Sequence, residues 1–211
     1  MTIDQKFIDQ FVNVTSKAAL ASYHLIGKKD KIAADQAAVD SMRNELNKLN
    51  IRGKIVIGEG ELDKAPMLYI GEKIGTMNGP EIDIAVDPLE GTNFAANNLP
   101  GALSVIAIAE KNNLFNAPET YMQKISTKVS DKEVVDLDYS VKKNIFNLSE
   151  YLNKKPEKLT ACIMDRPRHK DIINELKTIG VKIKFISDGD VSGALLVTDD
   201  KYGVDIFLGI G

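Results

Sequence analysis

Asp87 and Glu90 stand three residues apart in the run DIAVDPLEGTN, and the hydroxyl of Thr92 follows two residues later. Carboxylates at that spacing, with a backbone carbonyl between them, suit a hard divalent cation that takes oxygen ligands and keeps some of its water. A strand ending at Asp87, followed by a turn forced by Pro88 and Gly91, leaves all three side chains clustered where the sheet gives out. The same turn has an ordinary use, because Asp87 and Glu90 can cap it or the helix that follows.

One strand earlier, VIGEGELDKAP repeats the design. Gly58 and Gly60 bracket Glu59, and Glu61 and Asp63 follow, so five acidic residues flank two strand ends. Carboxylates gathered in one cleft repel unless cations neutralise them or protons are retained, and a bound metal resolves that conflict. VIGEG shares two glycines with a dinucleotide-binding fingerprint, but the third glycine and the following helix pattern are absent.

These residues need strands that stop together and helices to back them. Phe7, Ile8, Phe11, Val12, Ala19, Leu20 and Tyr23 recur at helical spacing over 4–27, and Ala34, Ala37, Ala38, Met42 and Leu46 form a stripe over 33–49 whose first turn carries Asp35. Runs at 54–58, 82–87 and 103–110 read as strands buried on both faces. After a polar stretch at 126–138, a helix over 141–153 opens a regular alternation: strand 159–164, helix 170–179, strand 181–186, helix 191–196, strand 204–209. The expected class is α/β with mixed α+β layers, divided into an N-terminal metal-binding part, 1–140, and the start of a C-terminal α/β part, 141–211.

Composition narrows the partners. With 27 Lys and Arg against 30 Asp and Glu, the formal net charge is -3, and no basic run tracks a phosphate backbone, so nucleic acid is not expected. No apolar stretch approaches a bilayer span, and MTIDQKFIDQ resembles no signal segment, which points away from a membrane and toward the cytoplasm. Cys162 is the single cysteine, and its neighbours in LTACIMD are those of a buried strand residue.

Taken together, KDKIAADQAAVD (29–40), VIGEGELDKAPMLYIGEKIG, DIAVDPLEGTN, NAPETYMQKI, RPRH and SDGDV resemble class II fructose-1,6-bisphosphatase, in order and spacing. DPLEGT alone would point only to the wider superfamily of lithium-sensitive sugar and inositol phosphatases. The resemblance implies an αβαβα-type sandwich and hydrolysis of the 1-phosphate of fructose 1,6-bisphosphate, with Mn²⁺ or Mg²⁺ in a two-metal site. A related sugar bisphosphate, sedoheptulose 1,7-bisphosphate, or an inositol phosphate would use similar chemistry.

By similarity, Asp35 and Glu59 hold one metal and Asp87 and Glu90 the other, with the Leu89 carbonyl close by. Asp35 would otherwise be an ordinary first-turn helix acid. Thr92 is expected to orient or help deprotonate the attacking water, with Glu61 or Asp63 as proton acceptor, although a phosphorylated Thr92 or a simple helix-capping hydroxyl fits the same residue. Glu90, Gly91, Thr92, Tyr121, Arg166, Pro167, Arg168, Asp188, Gly189 and Asp190 are implied in substrate binding, the two arginines at the distal phosphate. Asp165 and His169 are expected as local supports, and Lys31 as a further counter-charge.

Family members continue through GIGG into a PEG segment that supplies another ligand glutamate, and they assemble as homo-oligomers. The expectation is therefore a fold incomplete at the C-terminus, in which a non-catalytic phosphate- or metal-binding remnant is the competing reading.

Overall fold

The computed structural model describes residues 5–59, 68–116, 118 and 120–211. It divides into two compact units, 1–118 and 119–211.

The first unit opens with helix α1, Gln5–Tyr23, and helix α2, Lys31–Leu46. The second helix starts two residues earlier than its apolar stripe suggests because the Asp30 side chain accepts a hydrogen bond from Ala33 N at 2.9 Å, capping the first turn. Asp35 therefore sits one turn deeper than expected. On α1 the buried residues are Phe11, Val14 and Ala18, while Ile8, Val12, Leu20 and Tyr23 are exposed. The inward stripe is the one carrying small Ala18 and Ser22, the narrow face that lets two helices pack closely.

Four strands follow: β1 Arg52–Ile57, β2 Lys73–Ile74, β3 Glu81–Glu90 and β4 Leu103–Glu110, in spatial order β2-β1-β3-β4. β1 and β3 run parallel, and the other two pairings are antiparallel. Ile55, Ile82 and Ile84 share a core with Ala34, Ala38, Met42 and Leu46 of α2. Burial on both faces holds for most of β3 but not for its neighbours β1 and β4. Arg52, Lys54 and Ile57 on β1 are exposed and β4 is half-buried along most of its length, because α1 and α2 cover one face of this sheet. A short helix α3, Thr92–Ala96, follows β3, and Gly27 N and Lys29 N in the loop between α1 and α2 bind the carbonyls of Ala95 and Ala96 at 2.9 and 3.0 Å.

The second unit alternates as its sequence pattern indicates. It contains β5 Gln123–Ser126, α4 Val141–Tyr151, β6 Thr160–Met164, α5 Lys170–Ile179, β7 Lys182–Ile186, α6 Asp190–Leu195 and β8 Ile206–Ile210, with sheet order β5-β8-β6-β7. β6, β7 and β8 are parallel, and β5 is the antiparallel edge. α4 and α5 supply Ile145, Leu148 and Leu176 to one core, while Cys162, Val197, Val204 and Phe207 form another. The junction lies earlier than residue 140 because 123–126 pair with β8, from Gln123 opposite Ile210 to Ser126 opposite Phe207. Four residues in a polar context carry too little periodicity to announce that strand. Both units are mixed α/β.

Candidate active site

The chain was expected to turn at Pro88, but β3 continues through Glu90 with an irregular register. Asp87 pairs with Val105 and Glu90 with Leu103, so Pro88 and Leu89 together oppose Ser104 alone. This is a β-bulge, and its consequence is directional. In a regular strand, residues three apart point to opposite faces; here their partners are two apart on β4 and so share a face. The extra residue therefore turns Glu90 onto the side of Asp87. Proline, which has no N–H to give a ladder, fits the bulge. The turn itself comes at Gly91, whose φ of 78° is left-handed and whose place against Phe94 has no room for a Cβ.

Glu59 reaches the same neighbourhood from the end of β1. Its N–H donates to Leu68 O at 2.9 Å, and a Cβ on the preceding Gly58 would lie 2.1 Å from that carbonyl oxygen. Gly58 is thus required for this close approach of two backbones.

The electrostatics show that these carboxylates sense one another. Burial first, then a hydrogen bond with Glu90 and the charges of Glu90, Glu59 and Asp35, push Asp87 up to about 8. Burial and the charge of Asp35 push Glu59 to about 7, and burial alone raises Asp35. Such a set holds protons at neutral pH unless a cation replaces them. Among the described residues, no three His, Cys, Asp or Glu side chains are arranged to ligate one ion as they stand. Two carboxylates per ion, completed by carbonyl and water oxygens, is nevertheless the donor set a magnesium-type cation uses, so the chemistry fits. Asp35, Glu59, Asp87 and Glu90 are the residues that would hold it. Glu61 and Asp63 lie outside the described residues.

Thr92 is the first residue of α3, behind a Gly91 cap that has no side chain to bond. Its hydroxyl makes no hydrogen bond among the described residues, so capping does not occupy it.

In the second unit the expected binding residues meet at one edge, beyond the carboxyl ends of three parallel strands. Arg166, Pro167 and Arg168 follow β6, Asp188, Gly189 and Asp190 follow β7, and Gly211 follows β8. That is the edge where parallel sheets receive ligands. Arg168 Nε donates to Ile210 O at 2.5 Å, and its guanidinium lies 4.5 Å from the ring centre of Tyr121. Arg166 donates to Ser187 O at 2.6 Å and stands 3.8 Å from Asp188. Both guanidinium groups are positioned by backbone carbonyls. His169 is wholly buried: Nδ1 lies 2.7 Å from Met164 O, and Nε2 accepts from Ile210 N at 2.9 Å. Asp190 has one buried oxygen without a partner among the described residues, and Lys124 Nζ is 3.7 Å from its other oxygen. Lys124 had no expected role, although it belongs to the same NAPETYMQKI run as Tyr121. Asp165 is exposed at this edge, and its N–H donates to Ile186 O at 3.1 Å.

A bulged strand presenting paired carboxylates in the first unit, and a mostly parallel sheet with arginines at its strand ends in the second, mark a protein of the layered α/β class. The sequence matches the model of the bacterial, glpX-encoded fructose-1,6-bisphosphatase family over residues 5–211, and the chain belongs to that family. Over 209 residues it is 47% identical to the D-fructose 1,6-bisphosphatase class 2/sedoheptulose 1,7-bisphosphatase of Synechococcus sp. strain CC9902, covering 99% of this chain and 63% of that protein. The protein of the same name from Thermosynechococcus vestitus is 45% identical over 214 residues, covering 96% of this chain and 62% of its own. The chain thus spans less than two thirds of the length of these relatives. Among solved structures, an extragenic suppressor from Pyrococcus furiosus overlays with a TM-score of 0.45 at 12% identity, covering 91% of this chain and 70% of that one.

Proposed function

We propose that this protein removes the 1-phosphate of fructose 1,6-bisphosphate, giving fructose 6-phosphate and inorganic phosphate, as a cytoplasmic enzyme of gluconeogenesis that works as a homo-oligomer. The family match over residues 5–211 carries this reading, and the raised proton affinities of Asp87 and Glu59, each pushed up by burial and by neighbouring carboxylates, support it chemically. Mn²⁺ or Mg²⁺, when bound, supplies Lewis-acid polarisation of the phosphoryl oxygens and lowers the pKa of water. Asp35, Glu59, Asp87 and Glu90 hold the cation charge in place. Thr92 orients the attacking water, whose oxygen forms the new bond to phosphorus as the bond from phosphorus to the C1 oxygen breaks. The water proton passes to a neighbouring carboxylate, with Glu61 and Asp63 as candidates, and the departing sugar oxygen takes up a proton. Tyr121, Arg166, Arg168, Asp188 and Asp190 bind the substrate through the distal phosphate and the sugar hydroxyls.

Sedoheptulose 1,7-bisphosphate is the second reading, motivated by the double name of the relatives. Phosphate release from each bisphosphate with Mn²⁺ or Mg²⁺, beside an Asp87→Ala variant, tests both. Turnover that disappears in the variant is expected, and kcat/KM ranks the substrates. Release at an unchanged rate in Asp87→Ala, or none from the parent, overturns the proposal.

A further inference from the structure

The face of the first sheet turned away from α1 and α2 carries charge with no assigned use. Arg52 and Lys54 on β1, Lys73 on β2 and Asp83 on β3 line a groove of about 630 Å³, a volume that suits a small-molecule ligand. The register explains why they converge. Lys54 is directly opposite Lys73 in the antiparallel pair and level with Asp83 in the parallel one, and Arg52 is level with Glu81. Alternate residues of a strand share a face, so these side chains project together.

Lys111 at the rim meets Glu81 at 2.8 Å. Among the described residues, Lys54 and Lys73 have no carboxylate partner, and like charges directly across an antiparallel pair repel. Asp83 is only 5% exposed, and the one hydrogen bond its side chain makes among the described residues is a long one, from Leu114 N to Oδ2 at 3.4 Å. A carboxylate has about four lone-pair sites, so Asp83 can accept further hydrogen bonds from a molecule in the groove. Cations without a carboxylate partner at the rim and a carboxylate with acceptor capacity to spare on the floor are complementary to one kind of molecule.

We propose that this groove binds a small phosphate monoester carrying free hydroxyl groups. Arg52, Lys54 and Lys73 take the phosphate, and Asp83 accepts a hydrogen bond from a hydroxyl. Asp83 precedes Asp87 by four residues on the same strand, roughly 13 Å along it, so the groove is separate from the carboxylate cluster.

Titration calorimetry in a metal chelator, with ribose 5-phosphate, inorganic phosphate and ribose as probes, tests the site. The parent binds ribose 5-phosphate, the double variant Lys54→Gln/Lys73→Gln weakens it about tenfold, the scale of a lost charge-assisted hydrogen bond, and Arg168→Ala leaves this binding event in place. Asp83→Asn keeps the acceptor for Leu114 N but loses charge, and it weakens ribose 5-phosphate while sparing inorganic phosphate. No binding by the parent, unchanged binding in the double lysine variant, or loss confined to Arg168→Ala overturns the proposal. Both lysines are exposed, so the decisive variant does not depend on refolding a core.

Discussion

Asp87 and Glu59 are held near 8 and 7 by burial and by their acidic neighbours, well above the ordinary carboxylate value of about 4. A folded value above the unfolded one means the folded chain keeps protons that the unfolded chain has released. Stability is then full below about pH 4 and is lost as pH rises through the folded values. Metal-free protein should therefore show a Tm that falls from about pH 5 to pH 8. Asp87→Asn should flatten that fall and be more stable than the parent at pH 8 by on the order of 1–2 kcal/mol, read from urea unfolding at both pH values. A Tm that rises over this range would show that the carboxylates do not repel as described. At the other edge, His169 joins the end of β6 to the end of β8, and Arg168 hangs from the same Ile210. His169→Phe keeps the volume but leaves the part-buried Ile210 N–H without its acceptor and removes one of the two hydrogen bonds to Met164 O. It should cost about 2–3 kcal/mol in urea unfolding, and a loss under 0.5 kcal/mol would remove the histidine from this role.

At the scale of elements, the site depends on two local departures from regularity. The bulge at Pro88 and Leu89 places Glu90 beside Asp87, and Gly58 lets the end of β1 run against Leu68. Gly58→Ala drives a methyl group into a carbonyl oxygen. It should lower stability by about 2–4 kcal/mol and weaken Mn²⁺ binding, because Glu59 is the next residue. Thermal unfolding with and without Mn²⁺ separates the two effects, since a variant that loses stability but keeps the full metal-induced rise in Tm would detach Gly58 from the site. Much of the element order was readable beforehand. The alternation after residue 141 is legible because each strand and helix there is long enough to show its period, whereas β2 and β5, at two and four residues, are not. The bulge was invisible for a different reason. Pro88 and Gly91 both read as turn residues, and only pairing with β4 shows that the strand survives the first and bends at the second.

At the scale of the whole chain, the single thiol is a usable probe. Cys162 is fully buried on β6, and burial pushes its thiol up to about 11. It should resist thiol reagents in the native protein and label only as the second unit opens, with a denaturant midpoint matching loss of α4 and α5. Prompt labelling in native buffer would mean the cores around β6 are looser than described. Among the described residues no helix is long and apolar enough to cross a membrane.

The sequence alone determined the chemistry on offer. Acidic residues at two strand ends, a hydroxyl beside them, and arginines and aspartates at later strand ends are legible because residue type and spacing are local properties. It also determined the mixed α/β class, through periodicities that survive without a partner. The tertiary structure decided which carboxylates sense one another, because burial and distance shift their proton affinities. It decided that Glu90 shares the face of Asp87, because strand register is a pairing property. It also brought Lys54, Lys73 and Asp83 level across three strands, where residues up to twenty-nine positions apart meet only once the sheet has formed.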